Sequence, residues 1–227
     1  MVIGGHLKTS FIDFPDRIAT VFFARGCNFR CPWCYNSALV TGDPGEIPHS
    51  YIAEYLDGKG RYLDGIVVSG GEPTLQADLP EFLAWLGTWK LPRKLDTNGS
   101  DPAMLERILE VGLVEYVAMD VKAPWHKYSA LAGTMVNVQN IQKSAELLKQ
   151  GPVDYEFRTT LVRDLLSPED IREMAGWLLP ARRWALQRFR DHEEVMDGPG
   201  RFGPFSEPEI RALAAEFGED TPGLVWR

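Results

Sequence analysis

The sequence predicts an α/β fold, a partial (β/α)6 TIM-like barrel, with a doubly wound sheet as the alternative. Three observations carry that expectation. Six short apolar, β-rich runs are strung along the chain. Amphipathic segments, several with their own caps, separate most of them. Polar and unusual residues sit at or just past the downstream end of every run. Strand and helix alternating in this way argue for a parallel sheet with helical crossovers. Six units are too few for a full eight-stranded barrel.

The first run is Ile18 to Ala24, and "RGCNFRCPWC" follows it. The second, Gly65 to Val68, leads into "SGGEP" and then the helical candidate "DLPEFLAWLGTW". The third is short, Arg93 to Leu95, and opens into "DTNG". After it, Asp101 is placed to cap a helix that starts at Pro102 and stops at Gly112. Met104, Leu105, Ile108 and Leu109 share one face of that helix. The fourth run, Tyr116 to Met119, precedes "DVKAP" and the helical "NIQKSAELLKQG". The fifth, Tyr155 to Val162, contains Arg158, Thr159 and Thr160. Ser167 and Pro168 then open a helix that turns Ile171, Met174, Ala175 and Leu178 inward. The sixth, Trp184 to Phe189, carries Gln187 and Arg188, with Arg190 just beyond. "RDHEEVMDGPGRFGPFSEPE" reads as a long surface connection. Ser206 with Glu209 forms a capping box for a last helix that ends at Gly218. The carboxyl ends of parallel strands share one face, so these dispersed polar segments converge in space.

The 227 residues suit one domain, 1–227, of ordinary globular composition: 44% hydrophobic and 25% charged. No stretch approaches a membrane span, and the first residues lack a signal peptide's apolar core. A cytoplasmic protein without membrane contact is expected. A net charge of −8 gives no support to a nucleic-acid partner. The locally basic "ARRWALQRFR" reads as a strand with flanking charges.

All three cysteines, Cys27, Cys31 and Cys34, fall within eight residues. That is wrong for a disulfide framework, which spreads even numbers along a chain. Thiolates bind soft metals and iron–sulfur clusters. A structural zinc would need a fourth ligand from His6, His49, His126 or His192, none at finger-like spacing. The histidines otherwise read as surface or loop residues without a role. A cubane held by three cysteines would leave one iron open, which is where a cosubstrate binds. A purely structural metal knot, or three buried thiols, is the plain alternative.

The C-x3-C-x2-C spacing, with aromatic Trp33 before the last cysteine, resembles the cluster motif of the radical S-adenosylmethionine (SAM) superfamily. Ser69, Gly70, Gly71 and Glu72 of "SGGEP" are similar to its second motif. The resemblance implies a partial barrel of the radical SAM type and one [4Fe–4S] cluster held by the three cysteines. It also implies SAM chelated to the open iron, and reductive cleavage to methionine and a 5′-deoxyadenosyl radical. It places Trp33 near the cluster and adenine, and the Ser69–Glu72 turn at the SAM amino group.

Within the superfamily the chain looks like a glycyl-radical-enzyme activase, most like the activating proteins of anaerobic ribonucleoside-triphosphate reductase. "KTSFIDFPDRIATVFFARGCNFRCPWCYN", "KLDTNG", "YVAMDVKAP" and "YEFRTT" carry that likeness. Asp96, Thr97 and Asn98 resemble the activase segment lining SAM and a possible monovalent cation. Asp120 and Lys122 resemble its Asp-x-Lys pair and share a strand face. Lys122 or Arg158 is suited to hold the SAM carboxylate. The implied partners are a glycyl radical enzyme, most readily an anaerobic ribonucleotide reductase, and flavodoxin or ferredoxin as reductant. Tyr35 departs from the "CHN" of many activases, which leaves the subgroup and its target open. A radical SAM enzyme acting on a small molecule, like 7-carboxy-7-deazaguanine synthase, is the alternative activity.

Overall fold

β1 (Ile3–Ser10) is an edge strand that pairs antiparallel with β2 (Ala19–Ala24). From β2 onward every pairing is parallel, through β3 (Gly65–Gly70), β4 (Arg93–Thr97), β5 (Tyr116–Asp120), β6 (Asp154–Leu161), β7 (Trp184–Arg188) and β8 (Val225–Trp226). The eight strands lie in sequential order, and the sheet stays open between β8 and β1. This computed structural model describes residues 1–218, 221 and 223–226.

The six expected strands are present, most within a residue or two of the bounds read from the sequence. Two more flank them. β1 carries Gly4 and Gly5 and an exposed polar stretch, so its strand signal is weak. β8 is only two residues long. Helices α1 (Ser37–Thr41), α2 (His49–Lys59), α3 (Leu79–Leu86), α4 (Pro102–Val111), α5 (Tyr128–Ala132), α6 (Val138–Gln150), α7 (Pro168–Leu178) and α8 (Glu207–Phe217) fill the connections. The anticipated caps form: Asp101 accepts from Met104 N–H, and Ser206 and Glu209 close a capping box. Ser167 caps α7 in a second box with Asp170.

Alternation along the strands creates two layers. Phe22, Ile66, Val68, Leu95, Val117, Met119, Phe157 and Leu186 belong to one continuous core with the helices. The residues between them point the other way. Ala19, Val21 and Val67 meet Phe14 in a small separate cluster. Further along the sheet the same inner face carries Lys94, Asp96, Asp120, Glu156 and Arg158, and Lys94 lies beside Val67 and Tyr116 in register. The outer layer holds the sheet, and the inner layer is left for charge.

The connection after β7 is largely exposed, as expected, and it also forms a strap. Phe189, Val195 and Phe205 are buried along it. Met196 N–H donates to Cys34 O, and Asp197 N–H to Pro32 O, each at 3.0 Å. Three apolar anchors in an otherwise polar segment turn the strap back onto the cysteine loop.

Candidate active site

The cysteine loop leaves β2 beside the end of β3. Gly71 N–H donates to Ala24 O at 2.9 Å, and Glu72 N–H to Gly26 O at 2.7 Å. A Cβ on Gly71 would stand 1.9 Å from Gly26 O, so only glycine lets these backbones approach. Gly70 has φ +115, again glycine territory. On its far side the loop is held by Arg30 N–H to Ala132 O at 2.7 Å, while Arg30 Nη1 folds back onto Cys27 O.

Glu72 is buried and its carboxylate is fully engaged. It accepts from Thr74 N–H at 3.0 Å, Thr74 Oγ1 at 2.6 Å, Thr97 Oγ1 at 2.7 Å and Asn98 N–H at 2.6 Å. Burial pushes its carboxyl above the usual range, against the hydrogen bonds that pull it down. Glu72 thereby ties the end of β3 to the end of β4. Asn98 extends the brace, donating to Asn28 Oδ1 in the cysteine loop at 2.9 Å.

Five charges run along the inner face in alternating sign. Lys94 Nζ pairs with Asp96 Oδ1. Asp96 Oδ2 accepts from Ser69 Oγ at 2.9 Å and Arg158 Nη1 at 3.0 Å. Arg158 Nε donates to Asp120 Oδ1 at 2.7 Å, and Lys122 Nζ to Asp120 Oδ2 at 3.0 Å. Burial works against ionising both carboxyls. Arg158 with Lys94 at Asp96, and Arg158 with Lys122 at Asp120, reverse that and hold them below the usual range. Three cations and two carboxylates make up this chain, and the buried Glu156 on the same face adds a third carboxylate.

All fourteen residues singled out from the sequence line one cleft of about 570 Å³: Cys27, Cys31, Trp33, Cys34, Ser69, Gly70, Gly71, Glu72, Asp96, Thr97, Asn98, Asp120, Lys122 and Arg158. Gln187 and Arg188 line it too. Sequence reasoning did not single out Ile12, Asp13 or Phe23, which share the wall with His192 and with Arg190 from the end of the sixth run. It also passed over Lys94, whose signal is a lysine two residues before an inward carboxylate. His192 was given no role, yet its ring stacks on Tyr35 at 5.1 Å, and Phe189 stacks on Tyr35 at 5.8 Å. Tyr35 OH accepts from Arg190 N–H at 2.8 Å. Tyr35 is therefore the clamp between cysteine loop and strap.

The donor set suits a thiolate-bound iron–sulfur cluster. Three soft ligands open on one cleft, and Phe29 N–H already donates to Cys27 Sγ at 3.3 Å. Burial pushes Cys27 up to about 12 and Cys31 up to about 11, and raises Cys34. The metal-free thiols are thus protonated at neutral pH, and loading must release protons. For the zinc alternative, His6 bonds Thr20 and Tyr51, His49 bonds Met1 O and His126 bonds Glu173, whereas His192 lines the cysteine cleft with its ring stacked on Tyr35.

Residues 21–178 match the family model described as the Radical SAM superfamily. The chain belongs to the radical SAM superfamily. It is 31% identical over 217 residues to a putative glycyl-radical enzyme activating enzyme of Methanocaldococcus jannaschii, covering 93% of this chain and 90% of that one. A 7-carboxy-7-deazaguanine synthase of Geobacter sulfurreducens is 30% identical over 146 residues, 55% of this chain and 52% of that one. Among solved structures, Streptococcus suis SuiB bound to S-adenosylmethionine superposes with TM-score 0.72 at 14% identity, over 91% of this chain. This radical SAM chain spans about half of SuiB, 49% of its length, and the likeness is one of fold. Among the described residues, no helix is long and apolar enough to cross a membrane.

Proposed function

We propose that this radical SAM enzyme activates a glycyl radical enzyme, with an anaerobic ribonucleotide reductase as its target. The observation that carries the reading is the full-length likeness to a putative activating enzyme, against a half-length likeness to the small-molecule enzyme. When bound, a reduced [4Fe–4S] cluster supplies the electron that splits SAM, and the resulting 5′-deoxyadenosyl radical abstracts a glycine Cα hydrogen. Cys27, Cys31 and Cys34 hold the cluster in this reading. Lys122 or Arg158 receives the SAM carboxylate through charge-assisted hydrogen bonds. The Ser69–Glu72 turn meets its amino group, and Trp33 borders the adenine. The strap covers the cysteine loop and keeps water from it.

The open side of the sheet suits a peptide substrate. Phe11 and Ile12, 73% and 74% exposed, stand at the β1–β2 turn, and Ile12 reaches the cleft wall. An apolar rim beside a cleft is a common mark of a protein partner. The whole chain acts as one domain in the cytoplasm, with flavodoxin or ferredoxin as electron donor.

The test is anaerobic. The cluster is reconstituted, dithionite and SAM are added, and 5′-deoxyadenosine is measured with and without a candidate reductase. A glycyl doublet in the electron paramagnetic resonance spectrum of the partner is the expected result. Deoxyadenosine without a doublet on any candidate returns the reading to a small-molecule substrate. Cys31→Ala should lose both iron and cleavage; retained cleavage would overturn the cluster assignment.

A further inference from the structure

We propose that Lys94 is the resident counter-cation of Asp96, so that the cleft binds SAM without a monovalent metal ion beside it. The inference rests on the cleft being a SAM site. It departs from what the likeness of Asp96, Thr97 and Asn98 to an activase cation segment leads one to expect.

A hard cation needs oxygen ligands with lone pairs to spare. The segment offers few. Asp96 Oδ1 is taken by Lys94 Nζ, and Oδ2 by Ser69 Oγ and Arg158 Nη1. Asp120 gives one oxygen to Arg158 and the other to Lys122. Thr97 Oγ1 donates to Glu72 and accepts from Gly99 N–H at 3.1 Å. Asn98 Oδ1 accepts from Ser100 N–H at 3.0 Å. A metal ion at Asp96 would have to displace one of these partners and stand against a fixed ammonium of the same sign.

Lys94 bonds one carboxylate, Asp96, and the buried Glu156 adds a second negative charge nearby. Its side chain is 0% exposed. It is the second residue of β4 and lies between Val67 and Tyr116, with the Tyr116 ring centroid 6.0 Å from Nζ. Phe14 and Val67 cluster beside it, so the side chain cannot extend to solvent as surface lysines do. Burial lowers the pKa of its ammonium on balance, and the Asp96 carboxylate offsets only part of that shift. A lysine held there is a covalently tethered monovalent cation. Tethering makes its occupancy independent of salt composition, by the logic of effective concentration.

The test measures equilibrium binding of SAM to the cluster-loaded enzyme, without turnover. The sole monovalent cation is choline, sodium or potassium at fixed ionic strength. The wild type should bind with the same Kd, within about twofold, in all three. Lys94→Met, which vacates the site while keeping the stem's length, should bind at least about tenfold more weakly in choline. It should recover several-fold in potassium or sodium, as the metal enters. A wild type that binds SAM tightly only with a metal cation overturns the proposal. So does a Lys94→Met enzyme with wild-type affinity in choline. Should Lys94→Met fail to fold, the wild-type comparison decides alone. No SAM binding in any salt, by protein with full iron content, would instead refute the SAM site itself.

Discussion

Replacing Arg158 by methionine removes the cation that spans two inner-face carboxylates. The side chain is 10% exposed and reaches Asp120 through Nε and Asp96 through Nη1. Breaking a buried ion pair by deleting one partner costs about 3–5 kcal/mol. Here Asp96 keeps Lys94 and Ser69, and Asp120 keeps Lys122, so the lower end applies, about 3 kcal/mol. Arg158→Lys keeps the charge, but one ammonium cannot reach both carboxylates. It should lose one charge-assisted hydrogen bond, about 1.5–3 kcal/mol. Urea unfolding of the metal-free protein, followed by circular dichroism, measures both without the cluster's contribution. The pH dependence adds a sign. In the wild type Asp96 and Asp120 have depressed pKa values. Their contribution to stability is present above the unfolded carboxyl range and is lost as pH falls towards the folded values. Without Arg158 both carboxyls take up protons at higher pH than in the wild type. The gap between wild type and Arg158→Met should therefore be widest at pH 7 and narrow on acidification. A cost below about 1 kcal/mol at pH 7, or a gap that widens in acid, would refute the description of Arg158 as the centre of the charge chain.

Four further substitutions follow, three in the frame around the cleft and one control. Gly71→Ala drives a Cβ into the Gly26 carbonyl and should exceed the usual overpacking cost of about 1–3 kcal/mol, read as a loss of soluble yield. Gly112→Ala, with φ +66 but open space around it, is the control and should cost only about 1–2 kcal/mol. Glu72→Gln sets an amide N–H against one of the donors that Glu72 now accepts; unfolding should show about 1–3 kcal/mol lost, and equilibrium titration a weaker Kd for SAM. Tyr35→Phe loses the Arg190 N–H bond but keeps both ring stacks, so stability should fall by about 0.5–1.5 kcal/mol with iron content unchanged.

What the sequence conveyed was local, and what it hid was long-range. Asp101, Ser167 and Ser206 announce their helices because a cap and its helix are neighbours in the chain. The inner β6 strand is legible because β-branched and aromatic residues fill it. α2 was not singled out, since only Ile52 and Leu56 of its residues are buried and Pro48 replaces a polar cap. The strap's attachment was hidden because it is long-range: Met196 and Asp197 bond Cys34 and Pro32, more than 150 residues earlier. The cleft residues were found through motifs, but not their division of labour. Glu72 reads as a ligand and is engaged as a brace. Lys94 reads as an ordinary strand residue, and only the pairing of β3, β4 and β5 turns it inward beside Asp96.

An apolar inner face would make this sheet more stable, because well-packed hydrophobic residues match or exceed a buried ion network of the same volume. In closed barrels the interior is filled that way, with layers of branched side chains. This chain does so around Phe14, Val21 and Val67, and carries charge on the same face from Lys94 of β4 to Arg158 of β6. The outer layer can carry that cost, since it packs every strand from β2 to β7 against the helices. Leaving the sheet open at β1 and β8 has a related consequence. A cofactor in a closed barrel would be reachable only along the axis, whereas here Ile12 and the strap frame a side entrance to the cysteines. Stability is concentrated on one face of the sheet so that the other can hold a buried array of charge facing the cysteine loop.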